Sequence, residues 1–186
     1  MITLYRDMIK SQFATNVFGL HQLTQALLPC MLKQKSGRII HVSSVLGFVP
    51  TPFLGAYNAS KYAVEGLADT LRLELRPYKN IHVVVVQPGP IQSKLFNNAR
   101  NEVSQRIKRK NQEHDQFLLN AMNKNSKDHC FKQGPESVAK VFYKGLTKKR
   151  PKSHYRVTLP CHAAYWFKRF LPRFFMDYFL SKANKP

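Results

Sequence analysis

The sequence predicts an α/β fold, a parallel sheet with helices packed against it, from three observations. Two β-branched runs, Arg38-Ile-Ile-His-Val-Ser-Ser and Ile81-His-Val-Val-Val-Val-Gln, read as short buried strands. Long segments with apolar residues at helical spacing precede and separate them. Glycine and proline punctuate the junctions, so helix and strand alternate along the chain. That alternation implies a parallel sheet joined by right-handed crossovers.

In chain order, residues 6–33 place Phe13, Val17, Leu20, Leu27 and Met31 three, four or seven apart, which predicts a helix. Gly37 then opens the first strand. A loop with Gly47, Pro50, Pro52 and Gly55 leads to a second helix over 57–76, with the stripe Val64, Leu67, Leu71 and Leu75. Pro77 suits its end, because proline lacks the N–H that a helix interior needs. The run 81–87, bounded by Asn80 and Pro88-Gly89, has the unbroken apolar character of a strand covered on both faces. Residues 94–132 are polar and charged and read as helical in pieces. Gly134-Pro135-Glu136 starts a helix over 135–147, with proline in the first turn. Arg156-Val-Thr-Leu forms one further strand, and 161–182 an aromatic-rich helical tail. There is no internal repeat and no low-complexity linker, so residues 1–186 are expected to form a single domain.

The composition fits a chain with a packed core: 186 residues, 44% hydrophobic and 12% aromatic. Cys30, Cys130 and Cys161 are too scattered for a zinc site or a disulfide framework, and a sparse, odd set suits a reducing compartment. The first residues carry charges where a secretory leader needs an apolar run, and no stretch is long and apolar enough to span a bilayer. A cytoplasmic location is therefore expected. The net charge of +20 is uneven: residues 1–93 hold 9 Lys/Arg against 4 Asp/Glu, residues 94–186 hold 21 against 6. Such asymmetry suits an anionic partner, a membrane surface or nucleic acid, but equally a lysine-rich solvated face, and basic residues alone favour the last. Nucleic acid has only charge behind it, since no zinc spacing or recognition motif appears.

Chemistry concentrates around Tyr57-Asn-Ala-Ser-Lys61. Tyr and Lys four apart share one helix face, and an ammonium beside a phenol lowers its pKa, so that the phenol exchanges protons nearer neutrality. The spacing alone means little. With 8 tyrosines and 19 lysines, chance supplies about one such pair, and Tyr178 and Lys182 repeat it in the tail. Context separates the two. Ser44 closes a strand at the end where open α/β sheets place their sites, Pro88-Gly89-Pro90-Ile91 closes the next strand beside it, and Asn16 lies in the preceding helix.

These segments, Asn16-Val-Phe-Gly, Gly37-Arg-Ile-Ile-His-Val-Ser-Ser44, Tyr57-Asn-Ala-Ser-Lys61 and Pro88-Gly89-Pro90-Ile91-Gln92-Ser93, resemble in order and interval the short-chain dehydrogenase/reductase family. The resemblance covers about residues 10–150, and more loosely the tail. It implies a Rossmann-like sheet, and an oxidoreductase that uses NAD or NADP to interconvert a ketone or aldehyde and its alcohol. Tyr57 would be the general acid or base, and Lys61 would hold the nicotinamide ribose and depress the Tyr57 pKa. Ser44 would hydrogen-bond the reacting oxygen, and Asn16 would anchor a water linking Lys61 to solvent. Pro88, Gly89, Ile91 and Ser93 would line the nicotinamide side. Ser93 stands where the family often has threonine.

The family begins with a strand, a glycine-rich turn and a helix that receive the cofactor pyrophosphate. Only 15 residues precede Asn16, and the eight glycines, at 19, 37, 47, 55, 66, 89, 134 and 145, form no G-x-G-x-x-G arrangement. The expectation is a catalytic portion that lacks the first, cofactor-cradling βαβ unit and leaves a sheet edge open. A shortened gene product is preferred over a missing piece supplied by another polypeptide or a non-catalytic role. The rival to the enzyme is an inactive remnant that binds membranes or partners through basic residues.

The resemblance also assigns 94–132 to a substrate lid, with Phe96, Phe117, Leu118, Leu119 and Met122 as pocket or core residues. It suggests a lipophilic carbonyl or alcohol substrate, and a homo-oligomer built through helices 6–33 and 57–76. In the tail, Ala163, Trp166, Phe167, Phe170, Leu171, Phe174, Phe175, Tyr178 and Phe179 follow one helical side. Lys168, Arg169, Arg173, Asp177 and Lys182 lie largely opposite, and Pro172 bends the helix. Such a segment, 161–182, can lie on a membrane or pack over the substrate pocket or a neighbouring subunit, the packed arrangement being preferred.

Overall fold

The computed structural model describes residues 6–52, 54–93 and 132–183. The expected lid residues Phe96, Phe117, Leu118, Leu119 and Met122 lie outside these, as do Cys130 and the side chains of Phe179 and Lys182.

The first helical stretch runs as α1 (Arg6–Phe13), a π-helical turn (Ala14–Gly19) and α2 (Leu20–Gln34). It ends at Lys35, whose φ of 53° is left-handed. There Ser36 N donates to Met31 O at 3.2 Å and Lys35 N to Leu32 O at 3.1 Å, the paired bonds by which a reversed backbone satisfies the last helical carbonyls. The chain then enters β1 (Gly37–Val42), makes a tight turn at Val45–Gly47 and rises into α3 (Gly55–Glu74). Next come β2 (Ile81–Gln87), α4 (Pro135–Thr147), β3 (His154–Arg156), α5 (Leu159–Phe170) and α6 (Arg173–Ala183). The interruption between α5 and α6 falls at Leu171-Pro172, where proline removes a helical donor.

The three strands form one parallel sheet in the order β1-β2-β3, with Gly37 opposite Ile81, Val42 opposite Val86, and Val85 opposite His154. β2 is central, and all its residues but His82 are buried, which explains its unbroken valine run: both faces meet helices. On one face Ile39, Ile81, Val83 and Val85 pack with Ala68 and Leu75 of the α3 region, flanked by Leu28 and Leu71. On the other, Val84, Val86 and Tyr155 pack with Val138, Val141 and Phe142 of α4. Arg38 of β1 ties that face together by donating to Gly145 O and Lys148 O, at 3.2 and 2.6 Å, which caps the end of α4.

β3 begins two residues before the expected Arg156-Val-Thr-Leu run. Ser153 O already accepts from Val85 N, while Thr158 leaves the sheet to cap α5 by accepting from Cys161 N. The outer edge of β1 has no strand beside it among the described residues. A groove of about 470 Å³ runs there, walled by Leu20, Leu23, Leu27 and Met31 of α2, and reaching Asn16 and Lys61. α2 buries none of its residues, and Leu27, one of the apolar positions at helical spacing, is 48% exposed.

Candidate active site

Ser44 leaves the sheet at the C-terminal end of β1. Ser43 N donates to Val86 O and Val45 N to Pro88 O, both at 2.8 Å, so the chain stays laced to the exit of β2 on either side of Ser44. Ser44 Oγ accepts from Leu46 N at 3.2 Å, capping the tight turn, and faces Pro88 O at 3.5 Å. The side chain is thereby held at the mouth of the sheet, where parallel strands leave a crevice.

Tyr57 stands in the first turn of α3, its phenol near enough to Ser44 for that hydroxyl to favour the phenolate. Burial pushes the phenol above its ordinary pKa of 10, and Ser44 only partly offsets this. The net direction is upward, against the expected depression, because burial outweighs what stabilises the phenolate. Lys61 Nζ lies 5.6 Å from the centre of the Tyr57 ring and donates to Val42 O at 2.8 Å. Its charge sits over the ring and is anchored to the end of β1. Burial lowers the Lys61 pKa, and the carboxylate of Glu65 pulls it back up.

Asn16 lies within the π-helical turn, a distortion that often marks functional positions because it re-aims a side chain. Its Nδ2 donates to Ser60 Oγ at 3.0 Å, and Ser60 Oγ donates to Tyr57 O at 2.8 Å. Ser60 is fully buried, so Asn16 is connected to the helical turn that carries Tyr57 and Lys61.

Gly89 follows β2. A Cβ there would come within 2.0 Å of Thr158 Oγ1 and 3.3 Å of Cys161 Cβ, so the turn presses directly on the first turn of α5. Cys161 Sγ donates to Gln87 O at 3.2 Å, and burial pushes this thiol up to about 12. Ile91 forms an isolated parallel bridge with Gln133, made by Gln133 N to Pro90 O and Gln92 N to Gln133 O. Bonds from the flanking residues leave the amide of Ile91 itself facing the opposite side of the segment. Ser93 is exposed at the end of this stretch.

The structure therefore gathers Ser44, Tyr57, Lys61 and Pro88 at one sheet end, with Asn16 joined through Ser60 and Gly89 wedged against α5. Three residues not singled out from the sequence complete the surroundings. Gln87 Nε2 donates to both carboxylate oxygens of Glu65 at 3.0 Å, and His154 Nε2 lies 3.3 Å from Glu65 Oε2. The signal was present in the four-residue spacing of Tyr57, Lys61, Glu65 and Asp69, which puts them on one face of α3.

Residues that would meet a nicotinamide nucleotide fit it at its nicotinamide end. An ammonium has three donors, of which Lys61 gives one to Val42 O. Two remain for ribose hydroxyls, and the amide of Ile91 is free of the Gln133 bridge to face a carboxamide. Among the described residues no group of His, Cys, Asp and Glu could hold a metal ion.

Comparison with known proteins agrees. The short chain dehydrogenase family model matches residues 2–104. The chain is 39% identical over 179 residues to the uncharacterized oxidoreductase YbbO of Escherichia coli K12, covering 96% of this chain and 61% of that protein. It is 34% identical over 145 residues to the 3-ketodihydrosphingosine reductase of Bacteroides thetaiotaomicron, covering 77% and 52%. The fold matches a short chain dehydrogenase from Burkholderia cenocepacia J2315 in complex with NADP. The TM-score is 0.68 at 18% identity, over 98% of this chain and 63% of that one; at that identity the likeness speaks for the fold alone. The chain thus spans 61% and 52% of the length of these two relatives. Sequence match, parallel sheet and the cluster at its C-terminal end converge: the chain belongs to the short-chain dehydrogenase/reductase family.

Proposed function

We propose that this chain carries the proton-transfer and nicotinamide-facing part of an NAD(P)-dependent oxidoreductase that interconverts a ketone or aldehyde and its alcohol. The observation that carries the reading is the meeting of Ser44, Tyr57 and Lys61 beside Pro88 at one sheet end. Bound there, the nicotinamide supplies or accepts the hydride. The chain's own residues do the rest. The Ser44 hydroxyl donates a hydrogen bond to the reacting oxygen, where negative charge grows as hydride arrives. Tyr57, a phenol protonated at neutral pH, delivers the proton to that oxygen. Lys61 turns its remaining donors to the ribose, and its ammonium stabilises the phenolate left behind. Asn16, through Ser60, keeps this turn of α3 in place.

The substrate in this reading is a lipophilic carbonyl, supported by the relative named for reducing 3-ketodihydrosphingosine. Assembly runs through α1–α2 and α3, whose Phe18, Leu23 and Tyr62 stand 58%, 63% and 39% exposed. The test is titration of the purified chain with NADPH and NADH, followed by nicotinamide fluorescence and then by turnover with long-chain ketones. Saturable binding, with turnover abolished by Tyr57→Phe at unchanged circular dichroism, is expected. A folded chain that binds neither nucleotide, or a Tyr57→Phe variant of undiminished activity, overturns the reading.

A further inference from the structure

The tail helices carry an apolar surface that stays exposed among the described residues. α5 has its inner side satisfied. Cys161 is fully buried, Tyr165 packs edge-on against Phe48 with ring centres 6.1 Å apart, and Lys168 donates to Phe48 O while lying over the Tyr62 ring. Positions 161, 165 and 168 are one inward stripe at helical spacing. Yet the outward side is not polar. Trp166, Phe167 and Phe170 are 53%, 56% and 72% exposed, and Phe174 and Phe175 of α6 are 75% and 48% exposed. Trp166 and Phe170 stack on each other, ring centres 5.6 Å apart and 8° from parallel. Among the described residues these five large aromatic rings stay exposed, and an exposed apolar surface of this kind marks a binding site.

The charge around these rings decides the partner. Exposed Arg169 and Arg173 flank the break between α5 and α6, and Asp177 is the only acidic residue from 159 to 183. From 159 to 183 the sequence holds four basic residues, Lys168, Arg169, Arg173 and Lys182, against that one. A second copy of this chain is disfavoured, since a twofold contact through these helices would bring Arg169 and Arg173 towards like charges. A sheet of anionic headgroups over an apolar interior matches both features, because aromatic rings favour the interface and each basic residue there gains about 1 kcal/mol.

We infer that α5 and α6 form a docking surface for an anionic phospholipid bilayer, with Trp166, Phe167, Phe170, Phe174 and Phe175 seated at the acyl boundary and Arg169 and Arg173 at the headgroups. The inference does not rest on the nucleotide site, so it holds whether or not this chain turns over a substrate. The anchor is peripheral: among the described residues no helix is long and apolar enough to cross a membrane.

Trp166 is the only tryptophan, so its emission reads the contact directly. The chain is titrated with vesicles of phosphatidylglycerol and phosphatidylcholine, and with phosphatidylcholine alone. The expected result is a saturable blue shift with the anionic vesicles, weakening as salt rises. Phe170→Ala and Phe174→Ala should each lower vesicle binding about tenfold. Arg169→Gln and Arg173→Gln should each lower it about fivefold. Circular dichroism should not change in any of them, since all four side chains are exposed. Four outcomes overturn the proposal: no shift with anionic vesicles; equal, salt-independent binding to the neutral ones; binding that survives both phenylalanine substitutions; or a lipid-free shift that tracks concentration-dependent dimers on sizing.

Discussion

The side-chain amide of Gln87 is clasped by Glu65, which accepts from its Nε2 through both carboxylate oxygens at 3.0 Å. Gln87 is the last residue of β2 and is 3% exposed. Its backbone carbonyl accepts from Val157 N and from Cys161 Sγ, each at 3.2 Å. Glu65 also pairs with His154 of β3 and lies one helical turn from Lys61. A single half-buried carboxylate on α3 thus fastens the exit of β2, the third strand and the charge of the site lysine.

Replacing Glu65 by leucine should therefore be costly away from any substrate. The Gln87 amide loses its acceptor in a place water does not reach, a loss of about 2–3 kcal/mol for a buried bond to a charged group. Urea unfolding of Glu65→Leu should show a lower midpoint at unchanged slope. Glu65→Gln keeps an acceptor and should lose less. It should also lower the Lys61 pKa further, because the carboxylate is what raises it against burial; lysine side-chain carbon shifts followed by NMR through the alkaline range report this. An unchanged Lys61 titration in Glu65→Gln counts against the coupling.

Gly89 is required for packing rather than for an unusual backbone angle, since no glycine among the described residues has a positive φ. The atom a Cβ would strike, Thr158 Oγ1 at 2.0 Å, belongs to a fully buried, β-branched side chain that caps α5. It cannot swing aside cheaply. Gly89→Ala should cost about 1–3 kcal/mol by overpacking and lower nucleotide affinity by shifting the turn. Thr158→Ala alone should cost about 1 kcal/mol through the lost cap. The double variant should be more stable than the sum of the two losses predicts, because removing the threonine side chain makes room for the new methyl. Strict additivity in thermal unfolding would place the clash elsewhere.

Acid should loosen this fold through His41. The imidazole is buried in β1 at 5% exposure, and burial pushes its pKa below the ordinary 6.5. The folded chain thus keeps His41 neutral where the unfolded chain has begun to take a proton. Linkage then gives the sign: the full contribution is present above about pH 6.5 and is lost as pH falls from there towards the lowered folded value. Denaturant midpoints measured from pH 7.5 down to 5 should decline, and His41→Gln should flatten the decline. A profile of equal steepness in that variant would assign the effect to other groups, His82 among them, whose pKa is also lowered by burial and by Arg38.

How far the sequence could be read depended on how local each cause was. The valine run of β2 and the Gly134-Pro135 start of α4 match the structure residue for residue, because composition and a first-turn proline act within a few positions. The meeting of Ser44, Tyr57 and Lys61 was legible because strand ends and helix starts fix direction. The Gln87–Glu65–His154 link was not, since it joins three elements whose register only the folded sheet sets. β3 was misplaced by two residues for the same reason: Thr158 has good strand propensity, yet its hydroxyl is taken by the α5 cap. The exposure of Leu27 was likewise invisible, because periodicity names the apolar side of a helix but not what lies against it.

Lys35 offers a test remote from the site. Its φ of 53° is the left-handed conformation, in which the side-chain Cβ crowds the following carbonyl at a cost of about 1–2 kcal/mol for an L-residue. The paired bonds from Lys35 N and Ser36 N to the end of α2 require that conformation. Lys35→Gly relieves the crowding but frees the unfolded chain, which gives back part of the gain. A net stabilisation of about 0.5–1 kcal/mol is expected, a rise of about 1–4 °C in Tm for a chain of this size. Lys35→Val should move Tm the other way, because branching at Cβ worsens the same contact. Nucleotide titration should be unchanged in both. A Gly variant no more stable than the parent would mean that α2 does not end by this reversal in solution, and that the entry into β1 follows a different backbone path.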